Sequence, residues 1–249
     1  MEGGSASGPQ LWWRGDAEFA RGLILDFRRS VVFPIVSMRT AAEFNSFYAV
    51  ADPWHATRTG FRDRVLRARI APIIRGRRVL ELGCGEGHLT EVLFRDASTV
   101  TGVDISEVAI ERAKCRHLAN AKFESCDFLS ASFEGYDIIA ALECVYYLSP
   151  DEQRAFFEKV AREHRGKTLI LSGPIIGQGQ HRRYFTHAEL AATFVRIGAT
   201  ARFHNIIINR LGPLLTLAAA AARLPMCLWL LDMIPEACIF QRCYIIRMM

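Results

Sequence analysis

An α/β fold, with a largely parallel sheet and helices on both of its faces, is what this chain of 249 residues predicts, and three observations predict it. Short apolar runs of strand length alternate with segments whose apolar residues recur at helical spacing, which is the pattern of strand–helix–strand units. One run, Val79-Leu-Glu-Leu-Gly-Cys-Gly-Glu-Gly-His-Leu-Thr90, closes on an acid and then breaks into three alternating glycines, Gly83, Gly85 and Gly87. The length permits a sizeable core and favours one domain over two.

Met1 to Gln10 is rich in glycine and serine, lacks the basic-then-apolar order of an export signal, and is expected to be a disordered tail. Trp12, Trp13, Phe19, Leu23, Ile24, Phe27, Val31, Val32 and Phe33 give a helix-like pattern that Pro34 interrupts, so residues 11–57 are expected to form a helical N-terminal cap. A second helix follows, with Phe61, Val65, Leu66, Ile70 and Ile73 packing inward and the arginines between Arg58 and Arg78 facing out. After the glycine run, Thr99-Val-Thr-Gly-Val-Asp104 reads as the second strand, and Ser106 caps the next helix. Ser149-Pro150-Asp151-Glu152 opens another, with proline at the first helical position and acids in the first turn.

Lys167 to Ser172 reads as a fifth strand, Thr186 caps a helix that Gly198 ends, and Ala201–Ile208 and Tyr244–Met249 are the last strands. Leu211 to Ile234 is an apolar helical insertion, Leu214 to Ala222 and Met226 to Leu231 being separated by Arg223 and Pro225. Each half is too short to span a bilayer. A buried hairpin or homo-oligomer contact, a lid over a greasy pocket, and a peripheral membrane contact through Trp229 and its leucine neighbours stay open.

The seven cysteines form no C-x-x-C pair and no histidine pair has metal spacing, so neither a metal site nor a disulfide framework is expected. A scattered, odd set suits the reducing cytoplasm. The net charge of +5 is carried mostly by arginine, eight of them between Arg58 and Arg78. A basic helix can hold phosphate, RNA or an anionic membrane, although such a run is commonly just a solvated face.

The glycines carry the chemistry. A backbone that must turn through conformations a Cβ opposes, and must let a ligand touch the main chain, needs glycine. The spacing G-x-G-x-G differs from the dinucleotide fingerprint, and Asp104 stands at the end of the next apolar run, where a ribose-binding acid belongs. Downstream, Phe123-Glu-Ser-Cys-Asp127-Phe128 and Tyr136-Asp-Ile-Ile-Ala-Ala-Leu-Glu143-Cys-Val-Tyr-Tyr-Leu148 follow in order.

On these four segments the chain resembles the class I S-adenosylmethionine (SAM) methyltransferases. The resemblance implies a Rossmann-like seven-stranded sheet over 58–249 whose last strand inserts antiparallel beside the fifth, and SAM as cofactor. It also implies that Asp127 receives the adenine amino group while Phe128 covers the ring. Asp52-Pro53-Trp54-His55 and Tyr146-Tyr147-Leu148 are further similar to nodulation-type N-methyltransferases that act on chitooligosaccharides. The expected cofactor site gathers Trp54, Arg58, Glu81, Gly83, Cys84, Gly85, Gly87, Asp104, Ile105, Asp127, Phe128 and Glu143, with Arg58 for the methionine carboxylate. Cys84 and Cys144 are expected to be small buried residues rather than nucleophiles.

An acceptor alcohol needs a base where an amine does not. Among Glu143, Tyr146, Tyr147, His181 and His187, Glu143 and His181 are the expected catalytic pair. The expected reaction is methyl transfer to nitrogen or oxygen of a small molecule, with a glycan or glycolipid as one acceptor class. Nucleic-acid modification rests on the arginine helix alone, and Glu143-Cys-Val-Tyr replaces the loop expected of many base methyltransferases. A non-catalytic SAM-binding partner subunit is the third class.

Overall fold

A computed structural model describes residues 40–58, 60–177, 183–208 and 228–249, with the side chains of Arg58, Phe61 and Ile208 excepted. The expected tail, the cap before Thr40 and the apolar residues 209–227 lie outside the described residues.

Seven strands form one sheet in the order β3-β2-β1-β4-β5-β7-β6. They are β1 (Arg78–Leu82), β2 (Thr99–Asp104), β3 (Ala121–Ser125), β4 (Ile138–Leu142), β5 (Thr168–Pro174), β6 (Ala199–Ile208) and β7 (Ile239–Met248). The first five run parallel, and β7 lies antiparallel between β5 and β6. A parallel sheet needs cover on both faces, so its inner strands read as continuous apolar runs. Accordingly β4, Ile-Ile-Ala-Ala-Leu, is buried at every position.

The helices are α1 (Ala41–Phe47), α2 (Gly60–Ile74), α3 (His88–Leu93), α4 (Glu107–Lys114), α5 (Pro150–Glu163), α6 (His187–Arg196) and α7 (Trp229–Asp232). Capping boxes start α1, α5 and α6, through Thr40 with Glu43, Ser149 with Glu152, and Thr186 with Glu189. Ser106 caps α4 by accepting from Ala109 N at 3.2 Å.

Helix α2 seats Val65, Leu66, Ile70 and Ile74 in the core. Its arginines do not all face out, contrary to expectation. Arg67 donates to Val92 O at 2.7 Å and pairs with Asp96, Arg69 donates to Leu228 O at 2.6 Å and pairs with Asp232, and Arg62 pairs with Asp63. Arg67 and Arg69 reach acids and carbonyls that only the folded chain brings near, whereas the partner of Arg62 is its sequence neighbour. Three arginines of the run thus brace the fold, while Arg64, Arg75, Arg77 and Arg78 are exposed as expected.

Three strands exceed their sequence bounds, β5 by running on to Pro174. β6 starts at Ala199, and β7 starts at Ile239, five residues before Tyr244, because Gln241 and Arg242 are satisfied inside the sheet. Arg242 donates to Asn205 Oδ1 and to Glu236 Oε2, both at 2.8 Å. A Gln-Arg pair reads as a loop until those partners are known.

The described end of the apolar segment also sorts differently from its sequence. Leu228 and Leu231 are core residues, whereas Trp229, Leu230 and Met233 are exposed. Asp232 fixes this turn by accepting from Asn205 N at 2.9 Å and contacting His204 Nδ1 at 3.0 Å. Among the described residues no helix is long and apolar enough to cross a membrane.

Candidate functional site

The strand order reverses between β1 and β4, and ligands of open parallel sheets bind at such a point, outside the carboxyl ends of the strands. A cleft of about 340 Å³ lies there. Its floor comes from the glycine turn after β1, Asp104 ending β2, Asp127 and Phe128 after β3, and Glu143 after β4.

The turn needs its glycines: Gly83, Gly85 and Gly87 have φ of +67°, +52° and +75°. A Cβ on Gly83 would lie 2.7 Å from Cys144 Cβ, and one on Gly85 would lie 2.7 Å from Tyr48 Oη. Asp104, 7% exposed, ties the turn to β2: its carboxylate accepts from Gly85 N at 2.8 Å and Ser106 N at 2.9 Å. Burial pushes Asp104 above the usual carboxylate range, against the pull of those N–H donors.

Beneath the turn, Glu81 accepts from Thr90 Oγ1, and burial raises its pKa to about 8 despite that bond. Glu81 and Gly87 support the turn from behind, and neither lines the cleft. Gly87 is the left-handed N-cap of α3. Cys84 and Cys144 line the cleft with buried thiols whose pKa burial lifts well above the ordinary value, which opposes a nucleophilic role.

The segment 40–58 roofs the cleft. Asn45 Oδ1 accepts from Ser106 Oγ at 2.7 Å, and Arg112 donates to Val50 O at 3.0 Å and to Glu86 Oε1 at 2.5 Å. Asp52 N donates to Glu86 Oε2 at 2.9 Å, so the residue between Gly85 and Gly87 holds the roof. Trp54 Nε1 donates to the buried Tyr48 Oη at 2.8 Å. Phe44, Trp54 and Tyr147 form an aromatic wall, with ring centroids 5.6 Å apart for Phe44–Tyr147 and 5.9 Å for Trp54–Tyr147.

Arg62 and His88 line the same cleft, both set by Asp63: Arg62 Nε donates to its carboxylate at 3.0 Å, and His88 Nε2 lies 2.9 Å from it. Burial pushes Asp63 up, but the His88 and Arg62 contacts outweigh it and hold the group below its ordinary value. Glu143, at φ +58°, accepts from Ser172 Oγ at 2.7 Å and from Gln241 Nε2. Burial raises Glu143, while the Arg62 charge and the two hydrogen bonds pull it down.

Of the expected residues, the structure brings Trp54, Gly83, Cys84, Gly85, Asp104, Ile105, Asp127, Phe128 and Glu143 to the cleft. His181 and the Arg58 side chain lie outside the described residues. His187 does not line the cleft: its Nδ1 lies 3.0 Å from Tyr244 Oη, beside β7. Tyr48, Arg62 and His88 were missed as site residues, although Asp63 beside Arg62 was a usable signal. An acid within an arginine run fixes one of its neighbours. Among the described residues no three His, Cys, Asp or Glu side chains gather for a metal ion.

Residues 79–165 match the family model described as a methyltransferase domain. The chain is 36% identical over 105 residues to the ubiquinone biosynthesis O-methyltransferase of Coxiella burnetii, covering 40% of this chain and 44% of that one. It is 33% identical over 110 residues to nodulation protein S of Bradyrhizobium diazoefficiens, covering 40% of this chain and 51% of the relative. The chain thus spans about half the length of the curated relatives it matches. The fold is similar to that of magnesium protoporphyrin IX methyltransferase from Synechocystis, solved with SAM bound, at a TM-score of 0.57 and 15% identity over 84% of this chain and 98% of that one.

Proposed function

We propose that this protein binds SAM in the 340 Å³ cleft and transfers its methyl group to an oxygen or nitrogen of a small-molecule acceptor. One observation carries the reading: a glycine turn with no room for a side chain is tied to a buried acid, Asp104, at the reversal point of the sheet. One of the relatives is named an O-methyltransferase of ubiquinone biosynthesis, which supports the same chemistry.

The donor set fits the cofactor. Asp104 meets the ribose hydroxyls with a carboxylate, Asp127 receives the adenine amino group, and Phe128 covers the ring. Arg62 takes the carboxylate of the methionine end, the role expected of Arg58, because Asp63 fixes its guanidinium at the cleft. SAM supplies a methyl group already activated on a positively charged sulfur, so the protein has chiefly to align the acceptor and exclude water. Phe44, Trp54 and Tyr147 exclude water from above, and Glu143 takes a proton from an acceptor hydroxyl.

Calorimetric titration with S-adenosylhomocysteine tests the cofactor, and labelled methyl transfer into cell extract sorted into lipid, small-molecule, protein and nucleic-acid pools tests the reaction. Saturable binding and label in a small-molecule or lipid pool are expected. A folded protein that ignores S-adenosylhomocysteine refutes the reading.

A further inference from the structure

Glu143 leaves β4 in a left-handed conformation that residues with a Cβ rarely adopt, φ +58°. Such a backbone persists only where its surroundings over-determine it, and it collects at functional sites. Here three contacts do so. Glu143 N donates to Ser172 O at 3.0 Å, extending the β4–β5 ladder by one residue. Ser172 Oγ then donates to Glu143 Oε1 at 2.7 Å, and Gln241 Nε2 donates to the same oxygen.

Both donors are buried, each 2% exposed, and they come from adjacent strands whose register sets Pro174 opposite Gln241 and Cys243 opposite Ser172. On the other side of Gln241, β6 is irregular between Asn205 and Ile208. Irregularities of this kind twist a strand locally and re-aim side chains beside active sites. A buried glutamine amide would find a backbone partner in an ordinary sheet; this one is spent on a carboxylate at the cleft.

We infer that Ser172 and Gln241 are positioning residues: they hold Oε1 of Glu143 jointly and so leave Oε2 as the atom that accepts a proton from the acceptor. The inference rests on the methyl-transfer reading and extends it to two residues outside the cleft lining. Both donors are neutral, so they orient the carboxylate without the full positive charge that would quench its basicity. The charged and titratable groups facing it are Arg62 and Asp63 of α2, which oppose each other, and the thiols of Cys144 and Cys243. Removing either donor therefore raises the proton affinity of Glu143 beyond what burial already does.

Labelling glutamate with 13C at Cδ lets this carboxyl be titrated by NMR, with Glu143→Gln identifying its signal. Gln241→Met and Ser172→Ala are each expected to move its midpoint up by about 1–2 pH units, the value of one hydrogen bond to a charged group. Ser172→Thr keeps the hydroxyl and is expected to titrate like the parent. All three are expected to bind S-adenosylhomocysteine with parent-like affinity. Parent-like midpoints in Gln241→Met and Ser172→Ala that still bind it overturn the inference, whereas a parent that does not bind it overturns the methyl-transfer reading. If Gln241→Met does not fold, the contrast between Ser172→Ala and Ser172→Thr decides.

Discussion

Glu81 should make folding stability fall with rising pH, and Glu81→Gln should remove its share of that fall. The side chain is 1% exposed and its pKa is raised from 4.5 to about 8, chiefly by burial. In the unfolded chain it ionises near its ordinary value, so across this interval the unfolded state has lost a proton that the native state keeps. Stability is then full below the unfolded pKa and declines until the pH passes the folded pKa. The gap between 4.5 and about 8 sets a ceiling of about 5 kcal/mol at about 1.4 kcal/mol per pH unit. Between pH 5.5 and 7.5 the loss specific to Glu81 should be about 2–3 kcal/mol. Urea denaturation of the parent and Glu81→Gln across that range measures it, because subtraction cancels the other buried acids. Their stability difference should move steadily in favour of the glutamine variant as the pH rises. A difference that stays constant would refute the claim that Glu81 is protonated beneath the turn.

Four further outcomes follow from the same geometry. Asp104→Ala should weaken S-adenosylhomocysteine by about 1.5–3 kcal/mol in calorimetry, the range for hydrogen bonds to a charged group, and unchanged affinity would remove the residue from the site. Gly85→Val should abolish that binding, since its Cβ would lie 2.7 Å from Tyr48 Oη at a φ of +52°; normal uptake by a folded variant would place the ligand elsewhere. Arg62→Met should raise the dissociation constant more than Arg58→Met does, and the reverse order would restore Arg58 as the carboxylate partner. Leu231→Ser should cost about 3 kcal/mol in chemical denaturation, as expected for emptying a core position, whereas Trp229→Ser should leave folding intact; equal losses would contradict their opposite burial.

What could be read from the sequence was whatever a short stretch decides by itself. The glycine spacing, the acids Asp104 and Asp127 placed at and after strand ends, and the caps at Ser106, Ser149 and Thr186 are local, and the fold sets them where their local chemistry requires. What escaped depends on partners far along the chain. Gln241 meets Glu143 across 98 positions, and Arg69 meets the Leu228 carbonyl across 159, so no periodicity marks either contact. The arginine helix misled at Arg67 and Arg69 for that reason: a charge run looks solvated until the folded chain supplies acids and carbonyls. The start of β7 was hidden likewise, because burying Gln241 and Arg242 is tolerable only once Glu143, Asn205 and Glu236 are in place.

The glycine turn carried most of the information because each of its five residues answers a different demand. Gly83 leaves room for the Cys144 side chain, and Cys84 N continues the sheet by donating to Val103 O at 3.0 Å. Gly85 offers its N–H to Asp104, Glu86 reaches up to Asp52 N and Arg112, and Gly87 turns left-handed to begin α3. Floor, roof and helix therefore meet in a segment of five residues. A change at Glu86 loosens the roof without touching the floor, and a change at Asp104 does the converse. Comparing backbone amide exchange over 40–58 in Glu86→Gln and Asp104→Ala separates the two, because only the first should raise exchange in the roof, and equal exchange would mean that the turn moves as one body.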